Sequence, residues 1–327
     1  MTDPKILSLP VLPNIEDSRQ VLRPPADGFQ NWIGACSVLY EGEQDIFYLY
    51  YRVRKPRPVR GYVCRIARSS DGEHFEDIWE ATNREIGTES IERGSLVKAD
   101  SGRYRLYMSY VDPETRVWRI DLLEAPRIEE LAIEKRVPAL LASQTDGVGV
   151  KDPVVVRIGG VWFMFVSHAV PRPGERGLHE TGDAFATGKT KSVTGLAVSP
   201  DGRSFSWQGV LLDVQEKGWD SLMARIGAVL YRPPVFYLYY DGTDTPHHDY
   251  PGRLGLAVSL DLKTVYRLST DGPVLQSPHA TGSLRYLDYA RKGDDLYLYY
   301  ECATPDGSNE LRMNRVPDFF RERKMKG

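Results

Sequence analysis

Charged and aromatic side chains recur at two positions of a repeated strand pattern, and these residues could carry chemistry. Apolar strands begin with Asn31 and Trp32, Glu92 and Arg93, Lys151 and Asp152, Asp220 and Arg225, and Ser283 and Arg285. The aromatic strands that follow end at Arg52, Tyr110, His168, Asp241 and Glu301. Charges inside a folded protein are costly unless they are paired or used. The pattern predicts a polar site in which carboxyl groups exchange protons and basic groups bind an anion.

The basic residues need partners of their own. Six of them could converge: Arg52, Arg54, Arg93, Lys151, Arg225 and Arg285. Such a cluster suits phosphate, sulfate or a sugar carboxylate, although some members must neutralise the nearby acids. Trp32, Trp118 and Tyr110 could stack on sugar faces, but Trp and Tyr more often belong to the core.

The elements that must position these residues recur about five times. Each unit has an apolar strand, an aromatic strand and a third strand that often ends in Ser-x-Asp-Gly. The aromatic strands are Phe47–Arg52, Arg105–Tyr110, Trp162–His168, Phe236–Asp241 and Leu296–Glu301. Short meanders leave exposed edges unless they close radially, so the repeat predicts an all-β, five-bladed β-propeller. A solenoid is the alternative, but its repeats are usually shorter.

We expect one domain over residues 1–327. Its blades cover roughly residues 30–80, 90–137, 145–208, 220–267 and 280–316, and the N-terminal segment before Trp32 closes the last blade. The segment Ile128–Arg136 could form a helical turn or two. Long loops at Pro171–Ser192 and Gly242–Gly252 are expected to shape the mouth of the channel.

The third strands, at Arg65–Gly72, Gly195–Gly202 and Arg253–Leu262, resemble those of the five-bladed propeller glycosidases of glycoside hydrolase families 43, 32, 68 and 130. In family 130 a Lys and a His at the places of Lys151 and His168 help to hold phosphate or the adjacent sugar. This sequence departs from the group at two places. The family 130 signature that carries the proton donor reads here as Ile91–Ser95, and Ala35 stands where family 43 has its base.

The resemblance makes Asp152 the leading candidate for a catalytic carboxylate, because it opens a strand where the group places acids. Glycoside hydrolysis needs one protonated and one ionised carboxyl group, and we expect Glu92 to be the partner. The adjacent Lys151 favours an ionised Asp152. The expected substrate-binding residues are Trp32, Arg52, Arg93, Tyr110, Lys151, His168, Arg225, Asp241, Arg285 and Glu301.

Composition excludes several classes. The net charge of −3 gives no reason to expect nucleic acid. The sequence has no run of about 18 apolar residues that could span a membrane, and its first residues lack a secretory signal, so we expect a cytoplasmic protein.

Cys36, Cys64 and Cys302 fit buried apolar positions. We expect no cofactor and no metal, although His247, His248 and Asp249 could ligate one.

These observations favour a glycoside hydrolase acting on a carbohydrate through a carboxylate pair. One alternative is a glycoside phosphorylase, in which phosphate replaces water and the basic cluster holds it. The other is a carbohydrate-binding propeller without activity, which the missing first-blade acid favours.

Overall fold

The structure is a computed structural model, and it describes residues 10–178, 183–245 and 251–321. Strands account for 53% of the residues and helices for 6%, so the all-β prediction is confirmed. Within the described ranges the α-helix α1 (Asn83–Ile86) is a single turn. Turns of 3-10 helix lie at Ile128–Glu130, Ile133–Lys135, Ala142–Gln144 and Ala184–Ala186. None of the helices among these residues is long and apolar enough to cross a membrane.

The strands of the described residues form five antiparallel meanders of four strands each. Meander 1 contains β2 (Trp32–Glu41), β3 (Ile46–Lys55), β4 (Arg60–Ser69) and β5 (Glu76–Thr82). Meander 2 contains β6 (Ile91–Lys98), β7 (Tyr104–Val111), β8 (Trp118–Ala125) and β9 (Val137–Leu140). Meander 3 contains β10 (Val150–Ile158), β11 (Val161–Pro171), β12 (Thr190–Ser199) and β13 (Ser206–Leu212).

The last two meanders follow the same plan. Meander 4 contains β14 (Met223–Arg232), β15 (Val235–Thr243), β16 (Arg253–Ser259) and β17 (Tyr266–Arg267). Meander 5 contains β18 (Leu284–Lys292), β19 (Asp295–Ala303) and β20 (Asn309–Val316), and β1 (Arg19–Leu22) pairs with β20 as its outer strand.

The aromatic runs form the second strand of every meander. Tyr50, Tyr240 and Tyr300 lie in these strands and are fully buried. The core lies between neighbouring meanders: one cluster joins Tyr50 of meander 1 to Leu106 and Met108 of meander 2. Large aromatic residues fit such positions because they fill the space between two sheets and place a hydroxyl where it can reach a partner.

The first strands of the five meanders contact one another in a closed cycle. β2 contacts β6, β6 contacts β10, β10 contacts β14, β14 contacts β18, and β18 contacts β2. In two places a first strand also forms a parallel bridge with the third strand of the neighbouring meander, at Trp32 and Asn309 and at Met223 and Ser192. The beginnings of all five first strands are therefore close together in space.

The three cysteines are free and buried, which is the position that their sequence context favours. Burial raises the pKa of the Cys64 thiol to about 12. A thiol in this state is a poor nucleophile. These residues therefore act as small apolar side chains in the core.

Candidate functional site

Each first strand breaks its register with the second strand close to its beginning. The breaks lie between Gly34 and Ser37, Ile91 and Gly94, Lys151 and Val154, Ile226 and Ala228, and Arg285 and Asp288. Within three of them, Ala35, Asp152 and Tyr286 have positive φ angles of 50, 53 and 54°. A bulge bends a strand and redirects its side chains. The breaks thus direct polar side chains from different meanders toward one space.

That space is a narrow pocket open to solvent, which we call the mouth pocket. It is lined by Trp32, Arg52, Arg54, Arg57, Glu92, Lys151, Asp183, Met223, Arg225, Asp241, Arg285 and Tyr286. Seven of the residues predicted for the site are in this lining: Trp32, Arg52, Glu92, Lys151, Arg225, Asp241 and Arg285. The other five predicted residues, Asp152, Arg93, Tyr110, His168 and Glu301, lie outside it.

Glu92 is a buried carboxylate held between two guanidinium groups. Its Oε2 lies 3.1 Å from Nη2 of Arg52, and its Oε1 accepts a hydrogen bond of 3.1 Å from Nη1 of Arg54. Burial acts to raise the pKa of Glu92, but Arg52, Lys151 and Arg54 together hold it well below its usual range. Glu92 is therefore ionised at any ordinary pH.

Asp241 has the opposite character. It lies at the end of β15, lines the mouth pocket and accepts hydrogen bonds of 3.0 and 3.2 Å from the backbone N of Tyr286. Burial raises the pKa of Asp241 to about 7, although that hydrogen bond and the charges of Arg93, Arg285 and Arg225 act to lower it. A carboxyl group with this pKa can hold a proton near neutral pH and give it up during a reaction.

Asp152 lies behind the pocket lining, buried in the bulge of β10. Its Oδ1 accepts from the backbone N of Arg93 at 3.3 Å, and its Oδ2 accepts from Oγ of Ser167 at 3.1 Å. The same oxygen lies 3.6 Å from Nη1 of Arg225 and 3.8 Å from Nζ of Lys151. These contacts join meander 3 to meanders 2 and 4 and orient two cations of the pocket.

Glu301 is enclosed by partners at the matching position of β19. Its Oε1 accepts from Nη2 of Arg285 at 2.6 Å and from the side chain of Asn309 at 2.8 Å. Its Oε2 accepts from the backbone N of Ala35 at 3.1 Å and lies 3.8 Å from Nη2 of Arg52. This carboxylate joins meander 5 to meander 1 and fixes two of the pocket arginines.

Arg93 is likewise a link between meanders. Its Nη1 donates to the backbone oxygen of Gly227 at 2.8 Å, and its Nη2 lies 3.5 Å from Oδ2 of Asp288. The side chain is only 2% exposed. It therefore crosses the interior from meander 2 to meanders 4 and 5.

Tyr110 and His168 lie away from the mouth pocket. The hydroxyl of Tyr110 donates to Asp121 at 2.6 Å, and the Arg136 guanidinium donates to the same hydroxyl at 3.1 Å. His168 is fully buried with its Nε2 3.0 Å from Oδ1 of Asp146. Burial lowers the pKa of His168, so this ring is neutral near pH 7.

Aromatic rings support several of the pocket cations. Trp32 has the guanidinium of Arg285 4.4 Å from its ring centre and that of Arg54 at 4.7 Å. The ammonium group of Lys151 lies 4.7 Å from the ring of Trp118. Such contacts compensate part of the desolvation of a buried cation without neutralising it. Of the aromatic residues suggested for sugar stacking, Trp32 is the one in the pocket lining.

Sequence reasoning missed four pocket residues: Arg57, Asp183, Met223 and Tyr286. Asp183 belongs to the long loop predicted to shape the mouth, and its Oδ2 accepts from Nη2 of Arg57 at 2.6 Å. The positive φ of Tyr286, which sets its position, has no signature in its sequence context. The length of its loop indicated that Asp183 could lie near the site. No feature of the sequence indicated that Arg57, Met223 or Tyr286 would line the pocket.

The suggested metal ligands His247, His248 and Asp249 lie outside the described residues. Within residues 10–178, 183–245 and 251–321, no group of three or more His, Cys, Asp or Glu side chains is arranged to hold a metal ion.

No family model matches the chain, and no curated protein is significantly similar to it. Solved structures do match. A family 43 enzyme from Xanthomonas citri in complex with xylotriose has a TM-score of 0.63 and 13% identity, with 91% of this chain and 89% of that chain covered. A β-1,2-mannobiose phosphorylase from Listeria innocua has a TM-score of 0.59 and 17% identity, with 91% and 93% covered.

A glycosyl hydrolase from Bacteroides ovatus gives a TM-score of 0.61 at 17% identity, with 88% of this chain and 84% of that chain covered. At such identities a structural likeness establishes the fold and leaves the activity open. The resemblance of the third strands to those of the five-bladed propeller glycosidases is therefore confirmed as a similarity of fold. The chain shares the fold of these glycoside hydrolases and phosphorylases.

Proposed function

We propose that this chain is a carbohydrate-active enzyme that hydrolyses a glycosidic bond in the mouth pocket. The fold similarity to glycoside hydrolases supports the general class. The observation that carries the proposal is the pair of unlike carboxyl groups in one pocket, Glu92 ionised and Asp241 with a pKa of about 7. Glycosidases need this division between an acid and an ionised carboxylate.

The proposal includes a five-bladed propeller as the single domain of residues 1–327. Each meander is one blade, and the closed cycle of first strands supports an axis that passes between them. Polar side chains at the beginnings of those strands then face one end of the central channel. This is the end at which the mouth pocket opens.

In the proposed reaction Asp241 is the general acid. It donates its proton to the glycosidic oxygen as the bond to the anomeric carbon breaks. A water molecule bonds to the anomeric carbon as the hydroxyl group of the new reducing end and releases its other proton to solvent, from which Asp241 is reprotonated. Glu92 stays ionised and stabilises the positive charge that develops on the sugar ring. Arg52 and Arg54 keep Glu92 charged, which makes it a weak base and a strong electrostatic partner.

Asp152 takes a positioning role in this scheme, whereas the sequence predicted it to act with Glu92 as the catalytic pair. Its position behind the lining and its contacts with Lys151 and Arg225 support the change. Asp241, predicted as a substrate-binding residue, becomes the acid. Lys151, Arg225, Arg285 and Arg52 remain the proposed substrate-binding residues.

Phosphorolysis is the second candidate, and the cationic lining of the pocket favours it. In that reaction inorganic phosphate attacks in place of water and a sugar 1-phosphate forms. The two reactions share the role of Asp241 and differ in the nucleophile. Product analysis therefore separates them directly.

The test is a panel of oligosaccharides and aryl glycosides incubated with the purified protein, with and without inorganic phosphate. Free reducing sugar formed without phosphate supports hydrolysis. Sugar 1-phosphate formed only when phosphate is present replaces hydrolysis by phosphorolysis. Binding of sugars without cleavage under either condition contradicts both and makes the chain a binding protein.

A further inference from the structure

The mouth pocket contains more cations than carboxylates. Six basic residues are in its lining: Arg52, Arg54, Arg57, Lys151, Arg225 and Arg285. The acidic residues there are Glu92, Asp183 and Asp241. Behind the lining, Asp152 lies near Lys151 and Arg225, and Glu301 binds Arg285 and lies near Arg52. With these two carboxylates counted, six positive charges face five negative ones, so an excess of one remains when every carboxyl group is ionised. An excess of positive charge in a buried site favours an anionic ligand.

Aromatic rings hold these cations in two groups on different meanders. Trp32 contacts the guanidinium groups of Arg54 and Arg285. Phe185 lies 5.0 Å from the Lys151 ammonium group and 5.1 Å from the Arg225 guanidinium, measured to the ring centre. The rings lower the cost of burying the charges without neutralising them.

Buried donors in the lining support the same conclusion. Among the described residues, Nε and Nη1 of Arg52 and Nε of Arg54 have no hydrogen-bond partner. Arg52 is 1% exposed and Arg54 is 6% exposed. A buried donor without a partner carries its full desolvation cost. An oxyanion in the pocket would supply the missing acceptors.

The rest of the lining is apolar or aromatic. Trp32, Met223 and Tyr286 bring apolar and aromatic surface next to the cations. An inorganic anion needs only donors and charge, whereas a sugar that bears an anionic group also needs a surface on which its ring can pack. The combination favours an anion that is attached to a carbohydrate.

We propose that the pocket recognises an acidic sugar, whose carboxylate is bound by the unpartnered donors of Arg52 and Arg54. This inference rests on the proposed function, because it names the substrate class of the same site. It implies that the preferred substrates are glycosides of uronic acids rather than of the corresponding neutral sugars.

Isothermal titration calorimetry tests the inference without any need for turnover. The ligands are D-glucuronate and D-galacturonate, their neutral parents glucose and galactose, and inorganic phosphate. We expect at least one uronate to bind about tenfold or more tightly than its neutral parent, as charge-assisted hydrogen bonds allow. The preference should decrease as ionic strength rises.

The variants are R54Q and, as a matched control, R68Q. Arg68 lies in the same meander, is exposed and is paired with Glu76 away from the pocket. R54Q should lose most of the preference for the uronate, and R68Q should keep it. Thermal melts check that both variants are folded. If R54Q does not fold, the comparison of each uronate with its neutral parent on the unmodified protein still tests the inference.

Equal binding of uronates and neutral sugars would overturn the inference, and so would the absence of binding by either. Phosphate that binds more tightly than any uronate and displaces it would also overturn it, in favour of a free anion. Cleavage of neutral glycosides without a preference for uronates would support the proposed function and contradict the inference. Binding of uronates without cleavage of any uronide would support the inference and contradict the proposed function.

Discussion

Asp241 and Glu301 occupy matching positions on β15 and β19, yet their surroundings give them different chemistry. Each accepts a hydrogen bond from the backbone N of a bulge residue in the following meander, Tyr286 for Asp241 and Ala35 for Glu301. Glu301 also binds the guanidinium of Arg285, whereas Asp241 faces the mouth pocket. Burial without an ion-pair partner is what raises a carboxyl pKa. One position of the repeat is thus a structural link in one meander and, in the proposed reaction, an acid in another.

The first prediction concerns D241N. The amide can still accept from the backbone N of Tyr286 but cannot protonate a leaving group, so kcat should fall by about 10²- to 10⁴-fold. The loss should be smaller for aryl glycosides whose leaving group needs little protonation. Steady-state kinetics on both substrate types measure this. The control is D294N, at a half-exposed carboxylate far from the pocket.

Equal losses for good and poor leaving groups would argue against an acid role for Asp241. A large loss in D294N would show that the assay responds to stability rather than chemistry.

The second prediction concerns the buried charges around Glu92. E92Q leaves Arg52 and Arg54 without the carboxylate that lies 3.1 Å from each of them. Removal of one partner from a buried ion pair typically costs about 3–5 kcal/mol of unfolding free energy. Urea denaturation measures the change. The matched control is E76Q, which breaks the exposed pair with Arg68 and should cost at most about 1 kcal/mol.

A loss in E92Q no larger than that in E76Q would mean that the two arginines find other acceptors. The electrostatic role assigned to Glu92 would then have no support from stability.

Sequence reasoning at the residue scale found most of the pocket but could not rank its carboxyl groups. Strand beginnings and strand ends identified Glu92, Lys151 and Arg285, because the repeat fixes where such positions fall. Whether Asp152 or Asp241 is the better candidate for the catalytic acid depends on which of them lines the mouth pocket and which lies behind the residues that line it. That difference of a few ångströms comes from the bulges, which the sequence pattern does not encode.

At the scale of elements, the third strands have glycines where an aromatic ring of a neighbouring strand packs closely. A Cβ atom on Gly195 would lie 2.0 Å from the Trp207 ring of β13, and one on Gly255 would lie 2.4 Å from the Tyr240 ring of β15. Each of these glycines begins the sequence Gly-Leu-Ala-Val-Ser, which occurs in the third strands of meanders 3 and 4. Their role is steric, and it explains why the same residue recurs in two meanders.

The third prediction follows from that packing. G195A should lower the unfolding free energy by about 1–3 kcal/mol, because the added methyl group displaces the partly buried indole of Trp207. Chemical denaturation measures the loss. The control is G272A, where a Cβ atom would meet nothing within 4 Å. Similar stability of the two variants would show that Trp207 moves aside at little cost.

At the scale of the whole molecule, closure of the cycle of first strands makes each meander depend on two neighbours. The sequence predicted the repeat and the all-β class, since aromatic strands at regular spacing are visible without any contact information. Which side chains from different repeats meet in the pocket required the three-dimensional arrangement. Asp183, from a long loop, shows this best, because its partner Arg57 is 126 residues away along the chain.

The fourth prediction is that the chain unfolds as one unit. Interfaces between all neighbouring meanders are apolar and buried, so the loss of one meander exposes the core of two others. Differential scanning calorimetry should give one transition whose calorimetric and van't Hoff enthalpies agree. Two separate transitions would contradict the single-domain proposal.

The central claim is that Asp241 acts as the acid, and the pH dependence of kcat/KM tests it most directly. The reaction needs protonated Asp241, so kcat/KM should fall as the pH rises through about 7, where this carboxyl group loses its proton. The pKa of Glu92 lies far below this range, so the ionisation of Glu92 should not affect the fall of kcat/KM near pH 7. In D241N the fall near pH 7 should be absent from the residual activity. A fall near pH 7 that persists in D241N would contradict the account. So would a kcat/KM of the unmodified protein that stays constant from pH 5 to pH 9, about 2 units on either side of the pKa of Asp241.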